Sequence, residues 1–286
     1  MVNVPNVKLN NGIEMPAEGF GVYRIDDFDD CKQAVKNALQ VGYRAIDTAQ
    51  QYNNEDAVGA AIEESDVDRK DIFITTKVWI TEFGYEKTKR SVLESLKKLR
   101  TDYVDLVLLH QPFGDSYDSY RALEDLYDDG KIRAIGVSNF NSDCYIDIQH
   151  FARIKPAVDQ LETHVFFQQK EMQAYTEKYG AKLESWGPFA NGKHDIFNNP
   201  TLKEIGDHYH KSASQVALRF LVQNGIIIIP KSTSIERMKQ NIDIWDFELS
   251  AEDMQLIESM DTNESSFMDL RDPKIVEWIV NSVPKN

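Results

Sequence analysis

The length, composition and charge of the chain exclude several classes of protein. With 286 residues, of which 42% are hydrophobic, it can bury a sizeable core and does not have the composition of a disordered chain. Its formal net charge of −15 argues against a nucleic-acid surface, which would need a basic face, and against docking on an anionic membrane. We expect the excess of acidic residues to keep a cytoplasmic protein in solution.

Cysteine usage and the N-terminal stretch indicate the same location. Cys31 and Cys144 lie far apart, without a CxxC motif, which favours a reducing compartment over a disulfide framework. The N-terminal stretch lacks the basic and apolar segments of a signal peptide, and the apolar runs are shorter than the roughly 20 residues that span a bilayer. The sequence therefore predicts a cytoplasmic protein.

Short β-branched runs alternate with longer amphipathic segments along the chain. Eight runs are predicted to be strands: 19–23, 44–49, 71–79, 103–110, 132–139, 156–162, 181–186 and 226–232. Amphipathic spacing predicts helices at 31–42, 87–99, 201–210 and 212–225. Two of these helices have terminal signals, because Gly42 stops the first, while Ser212 and Gln215 have the spacing of a capping box.

This alternation predicts the fold class. Strands that alternate with helices form parallel sheets with right-handed crossovers, and eight such units suggest a closed barrel. An open doubly wound sheet is the alternative. We predict an α/β fold, a single (β/α)8 TIM barrel over residues 1–286, with an N-terminal β-hairpin at the Asn11-Gly12 turn and extra helices.

Four polar residues lie at or just beyond the ends of predicted strands, where a barrel of this type places its active site. They are Asp47, Tyr52, Lys77 and His110. Each alone has a structural explanation, as a turn residue, a packed ring, a paired cation or a core histidine. Lys77 is the hardest to explain in this way, because a buried lysine needs a partner, and Asp47 on the neighbouring strand is a natural counter-ion.

Five segments are similar to those of the aldo-keto reductase superfamily. They are GYRAIDTAQQYNNE (42–55), IFITTKVW (72–79), VDLVLLHQP (104–112), IRAIGVSNF (132–140) and IIPKSTSIERMKQN (228–241). The resemblance extends from the hairpin near residue 7 to about residue 270. Within the superfamily, the chain looks most like the prokaryotic branch of 2,5-diketo-gluconate reductases and prostaglandin F synthase-like enzymes.

The resemblance implies NADPH-dependent reduction of aldehydes, ketones or α-dicarbonyls to alcohols, with Asp47, Tyr52, Lys77 and His110 as the catalytic tetrad. Hydride comes from the nicotinamide and the proton from Tyr52. We expect the Lys77 ammonium to lower the pKa of Tyr52 from its free value near ~10. Asp47 would hold Lys77 charged, and a neutral His110 would orient the substrate oxygen.

The nicotinamide must be held without a Rossmann fingerprint, because no GxGxxG motif follows a strand. By resemblance, its carboxamide is bound by Ser138, Asn139 and Gln160. Trp186 matches a position where the family usually has a Tyr that stacks on the nicotinamide, and its larger flat face can stack equally well.

The phosphate end of the cofactor is predicted to lie at a helix start after the eighth strand, surrounded by Lys231, Ser232, Thr233, Ser234 and Arg237. Helix N-termini attract phosphate, and an Arg fork suits the 2′-phosphate of NADPH. We therefore expect NADPH to be preferred over NADH. By resemblance, Gln240 and Asn241 contact the adenine.

The substrate pocket is predicted to be lined by Tyr23, Trp79, His110 and Phe113, all near strand ends. Gln111 stands where many relatives have Trp, which makes the pocket less apolar than theirs. The substrate is expected to be a small carbonyl compound, and methylglyoxal-like dicarbonyls, keto-sugar acids and medium aldehydes all remain open. The tail after about residue 260 is expected to fold over the mouth.

Partners other than the substrate are not expected. No metal is predicted, because His208 and His210 lie on different helix faces and no HExxH motif is present. The short members of the family are often monomers, so we expect a monomer.

Two other functions fit parts of the pattern. A barrel aldolase would use Lys77 as a Schiff-base nucleophile. A non-catalytic binding or regulatory module is the second alternative, and the intact tetrad weighs against it.

Overall fold

A computed structural model describes residues 3–281 and confirms the predicted hairpin. Its two antiparallel strands are β1 (Asn6–Lys8) and β2 (Glu14–Pro16). The turn between them contains Gly12 at a φ of 87°, in the left-handed region that glycine adopts at no steric cost.

The sheet that follows consists of eight parallel strands, each paired with the next in chain order. They are β3 (Phe20–Gly21), β4 (Ala45–Asp47), β5 (Phe73–Val78), β6 (Val104–Leu109), β7 (Ile132–Ser138), β8 (Val158–Glu162), β9 (Lys182–Trp186) and β10 (Ile227–Ile228). The first and last strands also meet: the Gly19 amide donates to the Ile228 carbonyl over 2.8 Å, and the Ile228 amide donates to the Ala17 carbonyl over 3.1 Å. The sheet therefore closes into the predicted barrel, and the open-sheet alternative is wrong.

Helices connect the strands and surround the barrel, as this fold requires. They are α1 (Phe28–Val41), α2 (Glu55–Glu63), α3 (Tyr85–Lys98), α4 (Ser116–Asp128), α5 (Ser142–Phe151), α6 (Lys170–Tyr179), α7 (Pro200–Tyr209), α8 (Ala213–Gln223), α9 (Ile235–Ile242), α10 (Ala251–Glu258) and α11 (Pro273–Asn281). The four helices predicted at 31–42, 87–99, 201–210 and 212–225 are confirmed as α1, α3, α7 and α8. The capping box of α8 forms as predicted, since Ser212 and Gln215 each accept a hydrogen bond from the other's backbone amide.

The base of the barrel is filled with apolar side chains. Leu106, Leu108 and Ile227 point inward and pack in one cluster with Leu9 and Met15 from the hairpin segment. The hairpin therefore closes the amino-terminal end of the barrel.

Two central strands approach each other at a position that only glycine fits. A Cβ atom on Gly136 of β7 would lie 2.5 Å from the Val158 carbonyl oxygen of β8 and 2.6 Å from Leu108 Cδ2. This close packing supports the register that places Ser138 beside Gln160.

One carboxyl group is buried next to the closure of the barrel. Glu18 is completely buried and accepts hydrogen bonds from Tyr43 Oη at 3.2 Å and Trp245 Nε1 at 3.0 Å. Burial raises the pKa of Glu18 to about 8, although both hydrogen bonds oppose this shift. The group is therefore mostly protonated near neutral pH.

The assignment of residues 1–286 to one domain stays a prediction, and residues 1–2 and 282–286 lie outside the described range. Within residues 3–281, we find no helix with the length and apolar character needed to cross a membrane.

Candidate active site

A buried ion pair lies at the carboxyl ends of β4 and β5. Lys77 is fully buried, and its Nζ donates to both carboxylate oxygens of Asp47, at 2.6 and 2.7 Å, and to the Thr48 carbonyl at 2.9 Å. Burial alone would lower the pKa of Lys77, but the Asp47 carboxylate and neighbouring groups outweigh it and leave the pKa above its ordinary value. The pair therefore keeps a positive charge inside the barrel.

Tyr52 lies against this charge. It ends a short 3₁₀ helix after β4, Gln50–Tyr52, and its Oη accepts a hydrogen bond from Lys77 Nζ over 3.4 Å. We expected Lys77 to bring the pKa of Tyr52 below the free value. The net shift has the opposite sign, because burial raises the pKa of Tyr52 to about 12 while Lys77 lowers it only in part. Tyr52 is therefore a protonated phenol at neutral pH.

His110 completes the predicted group of four. It directly follows β6, and its ring centroid lies 5.7 Å from that of Tyr52 and 5.1 Å from that of Trp79. Burial, helped by the charge of Lys77, lowers the pKa of His110 well below the ordinary value. The imidazole is thus neutral, and its Nδ1 has no hydrogen-bond partner among residues 3–281.

The environment of Lys77 bears on the aldolase alternative. A Schiff-base lysine must reach its substrate as a free amine. Lys77 is inaccessible, its pKa is raised, and Asp47 and Thr48 already accept its hydrogen bonds. These contacts favour a fixed cation over a nucleophile.

The predicted nicotinamide contacts form a connected group beside the tetrad. Asn139, at a φ of 63°, donates through Nδ2 to the His110 carbonyl at 3.0 Å and to Ser138 Oγ at 3.2 Å. Trp186 Nε1 donates to Asn139 Oδ1 at 2.9 Å, and Ser138 Oγ donates to the Gln160 carbonyl at 2.9 Å. The Trp186 ring, expected to stack on the nicotinamide, is partly exposed next to these amides.

Gln160 joins this group to a residue that the sequence analysis missed. It lies within β8 rather than at its end, and its Nε2 donates to Asp47 Oδ2 at 2.9 Å and to Glu184 Oε2 at 2.8 Å. Glu184 is completely buried on β9, where burial and the charge of Asp47 raise its pKa to about 8. The signal was an acidic residue two positions before Trp186, and therefore on the same face of the strand as Trp186.

The residues predicted to bind phosphate surround the N-terminus of α9. Ser234 caps this helix by accepting the Arg237 amide at 3.4 Å, and Ser232 Oγ accepts the Ser234 amide at 3.1 Å. Lys231 and Arg237 are exposed, and neither forms an ion pair with another described residue. Of the remaining predicted contacts, Thr233 and Gln240 are exposed and Asn241 is buried.

Three of the four predicted pocket residues lie together. The ring centroid of Tyr23 is 4.9 Å from that of Tyr52, and Trp79 packs edge-on against His110. Tyr23 is 53% exposed, so one side of this aromatic group faces solvent. Phe113 is half-buried and packs on the hydrophobic core, and among residues 3–281 it makes no ring contact with the other three.

The tail reaches the mouth of the barrel, as expected, through an acidic residue that was missed. Glu162, the last residue of β8, accepts Ser265 Oγ at 2.6 Å and the Ser266 amide at 2.7 Å. This attachment packs Phe267 on Trp186, with ring centroids 5.2 Å apart. The rule that selected the tetrad applies equally to Glu162, because it too ends a barrel strand.

Metal ligands are not grouped in the described part of the chain. Residues 3–281 contain no cluster of three or more His, Cys, Asp or Glu side chains that could hold a metal ion.

Comparisons with known proteins give this geometry a family. Residues 19–262 match the model of the aldo/keto reductase family. The chain is 46% identical to the glyoxal reductase of Bacillus subtilis (strain 168) over 90% of its own length and 93% of the relative's. It is 35% identical to the methylglyoxal reductase of Escherichia coli (strain K12), with 91% and 95% coverage.

A solved structure agrees with the sequence relatives. The Bombyx mori aldo-keto reductase in complex with NADP superimposes with a TM-score of 0.90, at 32% identity, and covers 96% of this chain and 98% of that one. A closed barrel with a buried Lys–Asp pair beside a tyrosine and a histidine, matched over nearly its whole length by these proteins, identifies the chain as a member of the aldo/keto reductase family.

Proposed function

We propose that this protein reduces aldehydes and α-dicarbonyls to alcohols with NADPH, and that Tyr52 donates the proton. The observation that carries the proposal is the hydrogen bond from Lys77 Nζ to Tyr52 Oη, with Lys77 held by Asp47. It places a permanent cation where a phenolate forms as the proton leaves.

Membership of the family makes the chain an NADP-dependent oxidoreductase that acts on carbonyl groups. Its residues fit this cofactor at both ends. At one end, the capped start of α9 lies between two exposed cations, Lys231 and Arg237, in a chain with a net charge of −15. At the other, Asn139, Ser138 and Gln160 present amide and hydroxyl groups beside the tetrad.

Tyr52 is suited to be the proton donor, because it is protonated before the substrate binds. Its pKa of about 12 keeps the phenol protonated at neutral pH, and Lys77 offsets part of the cost of the phenolate. We infer that the proton moves from Tyr52 Oη to the carbonyl oxygen of the substrate, and that solvent restores it afterwards. NADPH, when bound, supplies the hydride for the carbonyl carbon.

His110 would orient the carbonyl group. A neutral imidazole carries a single N–H donor, and the low pKa of His110 prevents it from acting as a competing acid. We propose that His110 donates to the substrate oxygen while Tyr23 and Trp79 line the approach to it.

The substrate class is proposed from the names of two relatives. Two of the relatives carry names for reduction of glyoxal and methylglyoxal, both small α-dicarbonyls. Glyoxal and methylglyoxal are therefore the first substrates to test. We further propose a cytoplasmic monomer, which the acidic charge and the free thiols of Cys31 and Cys144 support.

The test is NADPH oxidation in the presence of glyoxal or methylglyoxal, comparing the wild type with Tyr52→Phe. Loss of the Tyr52 hydroxyl removes the proton donor, so kcat is expected to fall by about 1,000-fold or more, a typical effect of removing a general acid. The dissociation constant of NADPH, measured by quenching of tryptophan fluorescence, is expected to stay within about threefold of wild type, because the Tyr52→Phe substitution leaves the proposed cofactor contacts intact.

Tyr175→Phe is the matched control, because it removes a phenol from α6, away from the site. Near-wild-type turnover by Tyr52→Phe would overturn the proposed mechanism. A wild-type protein that binds NADPH but reduces no carbonyl compound would overturn the proposed function itself.

A further inference from the structure

We propose that Glu184 is a positioning residue that fixes the side-chain amide of Gln160 so that its oxygen is available to the nicotinamide carboxamide. The inference rests on the proposed use of a nicotinamide cofactor and extends it to a residue outside the tetrad. Three observations support it: the two hydrogen bonds that the Gln160 amide donates, the hydrogen bonds that Asp47 accepts from Lys77, and the burial of Glu184 with Gln160 as its hydrogen-bond donor.

Gln160 uses both N–H groups of its amide on acidic side chains. One donates to Asp47 Oδ2 at 2.9 Å and the other to Glu184 Oε2 at 2.8 Å. A glutamine amide has two N–H donors and one accepting oxygen. Turning the amide over would bring its oxygen against the Asp47 carboxylate, which Lys77 holds charged, and would take the N–H donor away from Glu184 Oε2, so these contacts favour the observed orientation. That orientation leaves the carbonyl oxygen of the amide as the group free to accept a ligand's N–H.

Asp47 does not provide this anchor alone. Both of its oxygens already accept hydrogen bonds from Lys77 Nζ, at 2.6 and 2.7 Å. With Asp47 as the only partner, one buried N–H of Gln160 would be unpaired or the amide would turn away. Glu184 therefore accepts a hydrogen bond from Gln160, whereas Asp47 accepts hydrogen bonds from both Gln160 and Lys77.

Among residues 3–281, Glu184 makes no side-chain hydrogen bond other than the one from Gln160. Its Oε1 is buried without a partner among residues 3–281, and Oε2 contacts Gln160. An apolar side chain of similar size would avoid the desolvation cost of a buried acid. The pKa of about 8 reflects this cost.

The strand register makes the contact possible. Glu184 on β9 is the Cα partner of Gln160 on β8, and both side chains face the barrel interior. Trp186 follows on the same face of β9, and Ser138 on β7 is the Cα partner of Gln160 on its other side. One row across three strands thus joins Ser138, Gln160 and Glu184 below the proposed nicotinamide site.

The experiment compares two ligands on four proteins: wild type, Glu184→Met, Glu184→Gln and the control Asp159→Asn. Met fills the space of Glu without an acceptor, whereas Gln keeps an acceptor oxygen. Asp159 is a completely buried acid on the same strand as Gln160, and among residues 3–281 the amide of Gln160 donates to Asp47 and Glu184 and not to Asp159. The ligands are NADPH and adenosine 2′,5′-bisphosphate, which lacks the nicotinamide. Dissociation constants are measured by fluorescence or calorimetry, and melting temperatures by circular dichroism.

Glu184→Met is expected to weaken NADPH binding about tenfold or more, the effect of one unpaired buried hydrogen bond, while adenosine 2′,5′-bisphosphate binds as in wild type. Glu184→Gln is expected to restore NADPH binding to within about threefold, and Asp159→Asn to bind both ligands normally. If Glu184→Met does not fold, Glu184→Ala removes the same acceptor without a clash.

Normal NADPH binding by the Met or Ala variant, or equal weakening of both ligands, would overturn the positioning role. This outcome differs from failure of the proposed function, in which the wild type itself does not bind NADPH or does not reduce a carbonyl compound.

Discussion

Lys77 Nζ lies 2.6 and 2.7 Å from the two carboxylate oxygens of Asp47, so a cation that would otherwise be unstable in the interior is held charged beside Tyr52. Replacing Asp47 by Asn removes the negative charge, and burial then lowers the pKa of Lys77. We expect kcat/KM for glyoxal to fall by about 100-fold, because a buried ion pair has lost one partner.

The pH profile separates this effect from general destabilisation. In Asp47→Asn the decline of kcat/KM with rising pH should move to lower pH, because Lys77 loses its proton earlier. Asp129→Asn, an exposed acid after α4, serves as the control. Wild-type kcat/KM across the pH range in Asp47→Asn would contradict a role for the pair.

Arg237 and Lys231 provide a second test, directed at the choice of cofactor. Arg237→Ala or Lys231→Ala should raise the dissociation constant of NADPH about 10- to 100-fold, the usual contribution of a hydrogen bond to a charged group. NADH lacks the 2′-phosphate, so its binding should change little. Lys239→Ala removes an exposed cation from the same helix and should leave both constants unchanged. Equal kcat/KM for NADPH and NADH in the wild type would refute the predicted preference.

The raised pKa of Glu18 leads to a prediction of how the free energy of unfolding depends on pH. Its pKa is about 8 in the folded protein, against 4.5 ordinarily, so the folded state keeps a proton that the unfolded chain releases. The contribution of Glu18 to the free energy of unfolding is complete below about pH 4.5 and is lost as pH rises towards 8, a change on the order of a few kcal/mol.

Glu18→Gln keeps an acceptor for Trp245 and cannot titrate. Urea unfolding at several values between pH 5 and 8 should therefore show a flatter dependence in this variant than in the wild type. An identical slope in the two proteins would show that Glu18 is not protonated in the folded state.

Glu162 anchors the tail at the mouth, and its removal should release that segment. In Glu162→Ala, Ser265 and Ser266 lose their acceptor, so amide hydrogens of 262–268 should exchange about tenfold faster or more. Mass spectrometry of deuterated peptides measures this rate. Glu264→Ala removes a neighbouring exposed acid and should leave the rate unchanged. Unchanged protection in Glu162→Ala would mean that the tail is held by packing such as that of Phe267 on Trp186.

The sequence was sufficient to predict the barrel and that Asp47, Tyr52, Lys77 and His110 lie together, since both depend on local patterns: apolar runs, helix signals and polar residues at strand ends. The catalytic role of these four residues, implied by the resemblance, stays a prediction. Strand lengths were less predictable. The run 226–232 forms a strand only at Ile227–Ile228, because Pro230 has no N–H for the ladder and Ser232 begins the turn before α9.

Other features depend on packing between distant residues. The sign of the Tyr52 shift depends on how deeply the phenol is buried, which the spacing of residues does not report. The partners of Gln160 lie 113 and 24 positions away along the chain, and only the closed barrel brings them together.

The closure of the barrel is also a short junction. β3 and β10 contribute two residues each, and few backbone hydrogen bonds link the first strand to the last. On heating, the hydrogen bonds between β3 and β10 should open before those of the longer strand pairs. Lys231 directly follows β10, and Trp186 and Gln160 stand on β9 and β8, so a nucleotide held by these residues would tie the last three strands together on one side of this junction. Because the nucleotide binds only the folded barrel, the melting temperature should rise when it is bound.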